Sequence, residues 1–262
     1  MFESSEAGFS TITSATDSYR TDGAGGFVES PRNSDPFSSS APAFQGPIYP
    51  ESDWDELMAL QEENQSSPYH THLNNVDIMS QQRTNYCWMF GVVAGAANRY
   101  AATGIEVPKF SPASTACQIK NFQNVGGWGS EAAAGVQKYG IATTNTWPNC
   151  SFDRTLPNNP RVRNDSFRHN IVEFNALGRY NINAVASCLL DPINPSPCSG
   201  GYSHWGHLVL LLKVVRISGQ IGFLYANSWG KNWGDNGYGI LLGSKAIPTE
   251  AIRIGSIKPI GE

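Results

Sequence analysis

The chain has 262 residues, 40% of them hydrophobic, and a formal charge of -4. That length supports one core of ordinary size with room for an arm or small subdomain. The charge comes entirely from the first fifty residues, where six acids (Glu3, Glu6, Asp17, Asp22, Glu29, Asp35) face two bases (Arg20, Arg32), leaving 16 of each sign afterwards. A body balanced in this way argues against nucleic acid or anionic membrane as the main partner. The N-terminus "MFESSEAGFSTITSATDSYR" lacks both a basic start and an apolar stretch, and the longest apolar run, "HLVLLLKVV", is too short to span a bilayer. A soluble chain without a classical export signal is therefore expected.

Residues 1 to 50 are rich in Ser, Thr, Gly and Pro, with Phe2, Phe9, Phe27, Phe37 and Phe44 scattered singly and no lasting period. They read as a low-complexity arm, flexible alone, that either inhibits until removed or docks permanently on a partner, and the isolated phenylalanines favour docking. Residues 51 to 74 read as a short helical linker. In "SDWDELMALQEENQ", Ser52 precedes Asp55 at capping-box spacing, and Trp54, Leu57, Met58 and Gln61 share one stripe.

The main domain is expected over residues 75 to 262. A helix runs from Cys87 to about Ala102, a Pro/Ser break falls at "FSPAS", a second helical stretch lies near 129 to 138, and an irregular Asn/Pro-rich region covers 143 to 166. The second half changes character. "HLVLLLKVV", "IGFLYANSW", "GYGILLG" and "AIRIG" are separated by turn residues and read as an antiparallel sheet. Helices first and strands later predict an α+β architecture of two lobes with a cleft between them.

A lone Cys87-Trp88 pair is more often structural than chemical, because free cysteine is among the most buried residue types. Two later segments change that balance. "SHWGHLVLLLKVV" supplies His207 at the start of a strand, and "YANSWGKNWGDNGYGIL" supplies Asn227 in a run of Trp and Gly. Cysteine, then histidine, then asparagine is the order of one recurring nucleophilic arrangement.

With these residues the sequence resembles the papain-like cysteine peptidases. Gln81 to Trp88 matches the family's Q-x5-C-W signature, "NVGGWG" at 124 to 129 its double glycine, and His207 and "NSWGKNWGDNGYG" the remainder, so the resemblance covers about residues 75 to 245. It implies a helical left lobe facing a β-rich right lobe, with peptide-bond hydrolysis by Cys87, His207 and Asn227 through a thiolate and an acyl-enzyme. A helix N-terminus and a facing imidazolium would favour that thiolate. The resemblance also implies Gln81 and the Cys87 N–H as oxyanion donors, Trp229 as shelter for the His207–Asn227 hydrogen bond, and Trp88 as a supporting residue. Gly126 and Gly127 are implied to admit a substrate backbone, and Trp128 and Leu208 to line the specificity pocket.

His204 competes with His207 as base, but only His207 is followed at once by the apolar strand. His169 reads as a surface or satisfied residue. His70 and His72 have no further ligands at zinc-like spacing, so neither metal nor cofactor is expected.

The sequence also departs from the family. Thr84 and Asn124 stand where the secreted members carry a disulfide, and the first 75 residues lack the long helix of the usual inhibitory propeptide. Cys117 and Cys150 fit one family-like bridge and Cys188 and Cys198 a local pair, leaving Cys87 free, yet five cysteines equally fit five thiols in a reducing cell. The missing bridges favour an intracellular location or the inside of an assembled particle. Tyr86 is bulkier than the residue usual beside the nucleophile and is expected to crowd the cleft. The expected partners are a peptide or protein substrate and, through the arm, an assembly such as a virus particle. In a second reading the domain is a docking component with vestigial activity.

Overall fold

A computed structural model describes the backbone of residues 11–12 and all of residues 25–31 and 41–258. Helix α3 (Cys87–Ala102) is central. Around it the left lobe places α4 (Ala113–Ile119), α5 (Gly129–Tyr139) and α6 (Pro160–Phe167). The right lobe is a sheet of β2 (Ile171–Arg179), β3 (Cys198–Tyr202), β4 (His207–Ile217), β5 (Gln220–Ala226), β6 (Tyr238–Leu242) and β7 (Glu250–Ile257), with β1 (Thr11–Ile12) at one edge. The strand order is β1-β6-β5-β4-β3-β7-β2, antiparallel except for the β1–β6 pair.

Strand β4 is buried on both faces, which explains its unbroken apolar run. Val209 and Leu211 pack into the core beneath α7 (Ile182–Leu190), whereas Leu208 packs toward α3. Helix and sheet approach closely because α3 carries glycine one turn apart: a Cβ at Gly91 would lie 2.3 Å from Leu208 Cδ2, and one at Gly95 2.8 Å from Ile254 Cγ1.

Two local expectations are corrected, and the helical linker gains detail. Ser52 does not form a capping box: its hydroxyl bonds Asp53 Oδ1 at 2.8 Å, Glu51–Asp53 is a 3₁₀ turn, and α1 (Trp54–Glu63) begins one residue later. The 51–74 linker holds a second helix, α2 (Pro68–Asn75), capped by Ser67 with Pro68 in its first turn. The region 143 to 166 is not wholly irregular, because Asn159 caps α6 and Pro160 opens it. In both helices the residues that read as breakers serve as start signals.

Residues 41 to 63 are built into the right lobe. Pro42 O accepts from Ala176 N at 2.8 Å and Phe44 N donates to Ala176 O at 3.0 Å, covering the free edge of β2. Tyr49 N reaches Ser187 Oγ at 2.9 Å, and Gln61 Nε2 reaches Leu189 O at 2.7 Å. Trp54 is 1% exposed and lies in the core shared with α7, its indole N–H on Tyr49 O at 3.0 Å. A chain starting at residue 41 keeps this segment and is expected to unfold cooperatively, at a urea midpoint below that of the full chain because it lacks the buried Phe27 and its neighbours' bonds to Arg179. Trp54→Ala should cost about 3–5 kcal/mol in the same titration, and a chain starting at residue 64 should lose its cooperative transition.

Candidate active site

Cys87 is the first residue of α3, and His207 the first of β4. Leu208, beside His207, packs against Gly91 one turn into α3, and the backbone N–H groups of Leu208, Trp88 and Phe27 pull the Cys87 thiol toward ionisation. His207 Nε2 donates to Asn227 Oδ1 at 2.8 Å, and the same oxygen accepts from Ser228 N at 2.8 Å. That fixes the tautomer with a bare Nδ1, which is buried and makes no hydrogen bond among the described residues. The imidazole packs against two indoles that also touch one another, Trp229 at 4.6 Å and Trp205 at 4.8 Å between ring centroids.

Gln81 is fully buried. Its backbone N–H donates to Ser228 O at 2.8 Å, its Oε1 accepts from Ser228 Oγ at 2.6 Å, and its Nε2 donates to Thr84 O at 2.7 Å. Sequence reasoning missed Ser228 and Trp205. Ser228 was visible in "NSWG" as the residue beside Asn227, whereas nothing in the sequence brings Trp205 over the imidazole.

The two glycines of "NVGGWG" serve different needs. A Cβ at Gly127 would sit 2.6 Å from the Trp88 ring, so Trp88 supports this backbone from below. A Cβ at Gly126 would sit 2.5 Å from Gly26 O, on the open side of the cleft. Leu208 lines a small cavity in the right-lobe wall; Trp128 does not line it, and instead stacks under Lys120 Nζ at 5.0 Å.

Tyr86 does not crowd the cleft. It is fully buried in the left lobe, with its hydroxyl on Gln123 O at 2.8 Å and near Cys117 Sγ at 3.8 Å. A polar tie replaces the absent family disulfide: Asn85 N donates to Asn124 Oδ1 at 2.6 Å and Asn85 Nδ2 to Asn124 O at 3.0 Å. All five cysteines are free thiols. His70 and His72 are buried and hydrogen-bonded to Ser67 and Tyr238, His169 bonds Ile141 O at 3.2 Å, and His204 packs its ring against Tyr202. No metal-holding group of His, Cys, Asp or Glu occurs among the described residues, and no helix there is long and apolar enough to cross a membrane.

The cleft is filled by the chain's own residues 25 to 31. Phe27 pairs with Gly127 in parallel: Gly127 N donates to Gly26 O at 2.8 Å and Val28 N to Gly127 O at 3.0 Å. On the other wall Gly26 N and Phe27 N both donate to Gly206 O, at 2.9 and 3.0 Å. The Phe27 ring lies on Gly201, where a Cβ would come within 2.2 Å of it. Beyond it, Arg179 Nη1 bonds Glu29 Oε2 at 2.9 Å, Arg179 Nη2 bonds Ser30 O at 2.7 Å, and Ser30 Oγ bonds Glu250 Oε2 at 2.6 Å. Phe44 packs on the right lobe, and Phe2, Phe9 and Phe37 lie outside the described residues.

Covering the site reverses the electrostatics expected at a helix N-terminus. Burial pushes the Cys87 thiol up to about 12, against the pull of the three N–H groups, and pushes His207 down to about 4, against its bond to Asn227. In the closed cleft the pair is thiol and neutral imidazole.

Solved structures supply the comparison. Digestive procathepsin L 3 from the larval midgut of Tenebrio molitor aligns over 69% of this chain and 67% of its own, at 19% identity and TM-score 0.55. The proCathepsin B S9 of Trypanosoma congolense covers 89% and 86% at 15% identity and TM-score 0.58. Xylellain, a cysteine protease of Xylella fastidiosa, covers 87% and 96% at 14% identity and TM-score 0.59. The chain has the papain-like fold. Neither protein-family models nor curated protein sequences match it. The expected α+β architecture, with a helical lobe facing a sheet, is thereby shown.

Two outcomes follow for the papain-like cleft of this chain. Phe27→Ala should raise the rate at which iodoacetamide alkylates Cys87 by at least about tenfold at pH 7, since it removes the arm's apolar anchor. The closed cleft keeps His207 neutral down to about 4 whereas its ordinary value is 6.5, so the closed form binds fewer protons and loses stability as pH falls through that window. Glu250 acts in the opposite sense, because burial raises it in the closed form, and the larger displacement of His207 sets the direction. Deuterium exchange at Phe27 and Val28, corrected for intrinsic rate, should accelerate from pH 6.5 to 4.5.

Proposed function

We propose that this protein is a cysteine peptidase that hydrolyses peptide bonds through an acyl-enzyme on Cys87, and that residues 25 to 31 hold it latent. The carrying observation is the imidazole of His207, oriented by Asn227 at 2.8 Å with Nδ1 bare, at the start of the strand whose Leu208 packs against Gly91 of the helix that Cys87 opens.

Once the arm leaves, water and an imidazolium partner again favour the thiolate at the start of α3. His207 Nδ1 takes the thiol proton and the sulfur attacks the substrate carbonyl carbon. The negative charge that develops on oxygen meets the Cys87 N–H and the Gln81 amide, worth about 3 kcal/mol per donor. The C–N bond then breaks as His207 returns its proton to the leaving amine, and water hydrolyses the thioester. Asn227 maintains the tautomer throughout, and Trp229 and Trp205 keep water from its bond to His207.

The arm resembles a bound peptide without being attacked. It pairs with Gly127 in the parallel direction and sets two successive N–H groups on Gly206 O, so the carbonyl of the Gly26–Phe27 peptide is held by Gly127 N and its N–H by Gly206 O. Two of the similar structures are themselves pro-forms, procathepsin L 3 and proCathepsin B, which supports reading this arrangement as latent.

A peptidyl epoxide that reacts only with activated thiolates provides the test. The Phe27→Ala chain should acquire one adduct, on Cys87, by mass spectrometry. Cys87→Ala should abolish it and His207→Ala should reduce it by at least about a hundredfold. Absence of an adduct in a folded chain whose Cys87 still reacts with iodoacetamide would refute catalysis and leave a papain-like docking domain, with the arm free to serve an assembly partner.

A further inference from the structure

The wall against which Phe27 rests contains a charge pair that the proposed mechanism leaves unused. Across the sheet, Gly201 is the register partner of Leu208 on β4 and of Glu250 on β7. The slot over Gly201 therefore has Leu208 on one side and Glu250 on the other. It opens on a cavity of about 110 Å³ floored by Gly129, Ser199, Leu208 and Ile252 and walled by Glu250 and Arg179. Arg179 Nη2 lies 3.5 Å from Glu250 Oε2. The charged groups facing Glu250 are Arg179 and the arm's Glu29, so departure of the arm leaves Arg179 and Glu250 facing one another.

A buried carboxylate at the end of an apolar slot would by itself select a basic side chain, because an uncompensated charge in such a place demands a partner. A half-buried guanidinium, as Arg179 is, would in the same way favour an acid. Held together, the two charges cancel at the slot, and what remains to be satisfied is apolar surface with no Cβ on its floor. The chain's own occupant is a phenylalanine, 7% exposed there. A substrate strand pairing with Gly127 would project a side chain into the same slot, because alternate residues of an extended peptide face one wall.

We infer that Arg179 is a specificity-determining residue: by pairing with Glu250 it makes the slot over Gly201 select an uncharged aromatic side chain of the substrate and refuse a basic one. The inference rests on the peptidase reading for its biological meaning, but its test reads binding alone.

The full-length chain carrying Phe27→Ala, with its slot vacated, is treated with iodoacetamide in the presence of blocked tripeptide amides that differ only in a central Phe, Arg or Glu. The readout is the peptide concentration that halves alkylation of Cys87. The Phe peptide should protect at about tenfold lower concentration than the Arg peptide. Adding Arg179→Gln should shift that ratio about tenfold toward Arg, Arg179→Lys should keep the original order, and Glu250→Gln on top of Arg179→Gln should cancel the shift. Glu250→Gln alone should instead favour the Glu peptide, and it decides the matter if Arg179→Gln does not fold. An unchanged order in the folded Arg179→Gln or Glu250→Gln chain, or a parent that already prefers Arg, would overturn the inference. Iodoacetamide alkylates a thiol that performs no catalysis, so failure of the epoxide reaction and failure of this ranking are separate results.

Discussion

The contact on which the rest of the molecule depends is the approach of α3 to the sheet at Gly91 and Gly95. With any larger residue there the helix would stand off Leu208 and Ile254 by the thickness of a side chain. At the distance the glycines allow, the first turn of α3 comes level with the first residues of β4. The residue that opens α3, Cys87, and the residue that opens β4, His207, thereby lie on the two sides of one interface. Ser199 Oγ, bonded to Gly91 O at 3.2 Å, ties the same turn to β3. Displacement of this one interface would separate Cys87 from His207 while leaving both lobes internally intact.

Around that contact the proposed function gives the same residues two electrostatic states, one covered and one open. The macrodipole and three N–H groups favour a thiolate, but only where water or a counter-charge can share the cost of ionisation. Residues 25 to 31 remove the water and bring amide groups and a phenyl ring, so neutral forms prevail on both members of the pair. The arm achieves this with one parallel bridge at Gly127, two N–H groups on the Gly206 carbonyl and a polar clasp at Arg179, Ser203 and Glu250, where Ser203 Oγ lies 2.5 Å from Glu29 Oε1. Latency in this reading comes from desolvation of a complete site.

Much of the fold was legible because it is written in local patterns. The bounds of α3, the strands β4 to β7 and the helix at α5 follow from apolar runs and their punctuation, and the order Cys87, His207, Asn227 stands in plain sequence. The misreadings have a common cause. Ser52, Asn159 and Pro160 have more than one use, as cap, breaker or turn former, and neighbours in space decide which applies. Tyr86 was misplaced for a related reason: bulk beside a nucleophile says nothing of which way the side chain turns, and the hydrogen bond to Gln123 O draws it inward.

By itself the sequence determined the chemistry available to this protein: one cysteine opening a helix, one histidine opening an apolar strand, an asparagine among tryptophans, and a glycine pair suited to a close backbone approach. Those are identities and short spacings, and residue type fixes them. Only the tertiary structure decided where the arm lies, that Trp205 and Ser228 belong to the site, that residues 41 to 63 complete the right-lobe core, and that Arg179 stands against Glu250. Each of these rests on a contact between separate segments, for Ser228 its bond to Gln81 and for Trp205 its packing on Trp229. A side chain's partner in another segment is chosen by packing and by which charges and hydrogen bonds remain unsatisfied once the core has closed, and neither quantity exists before the chain has folded.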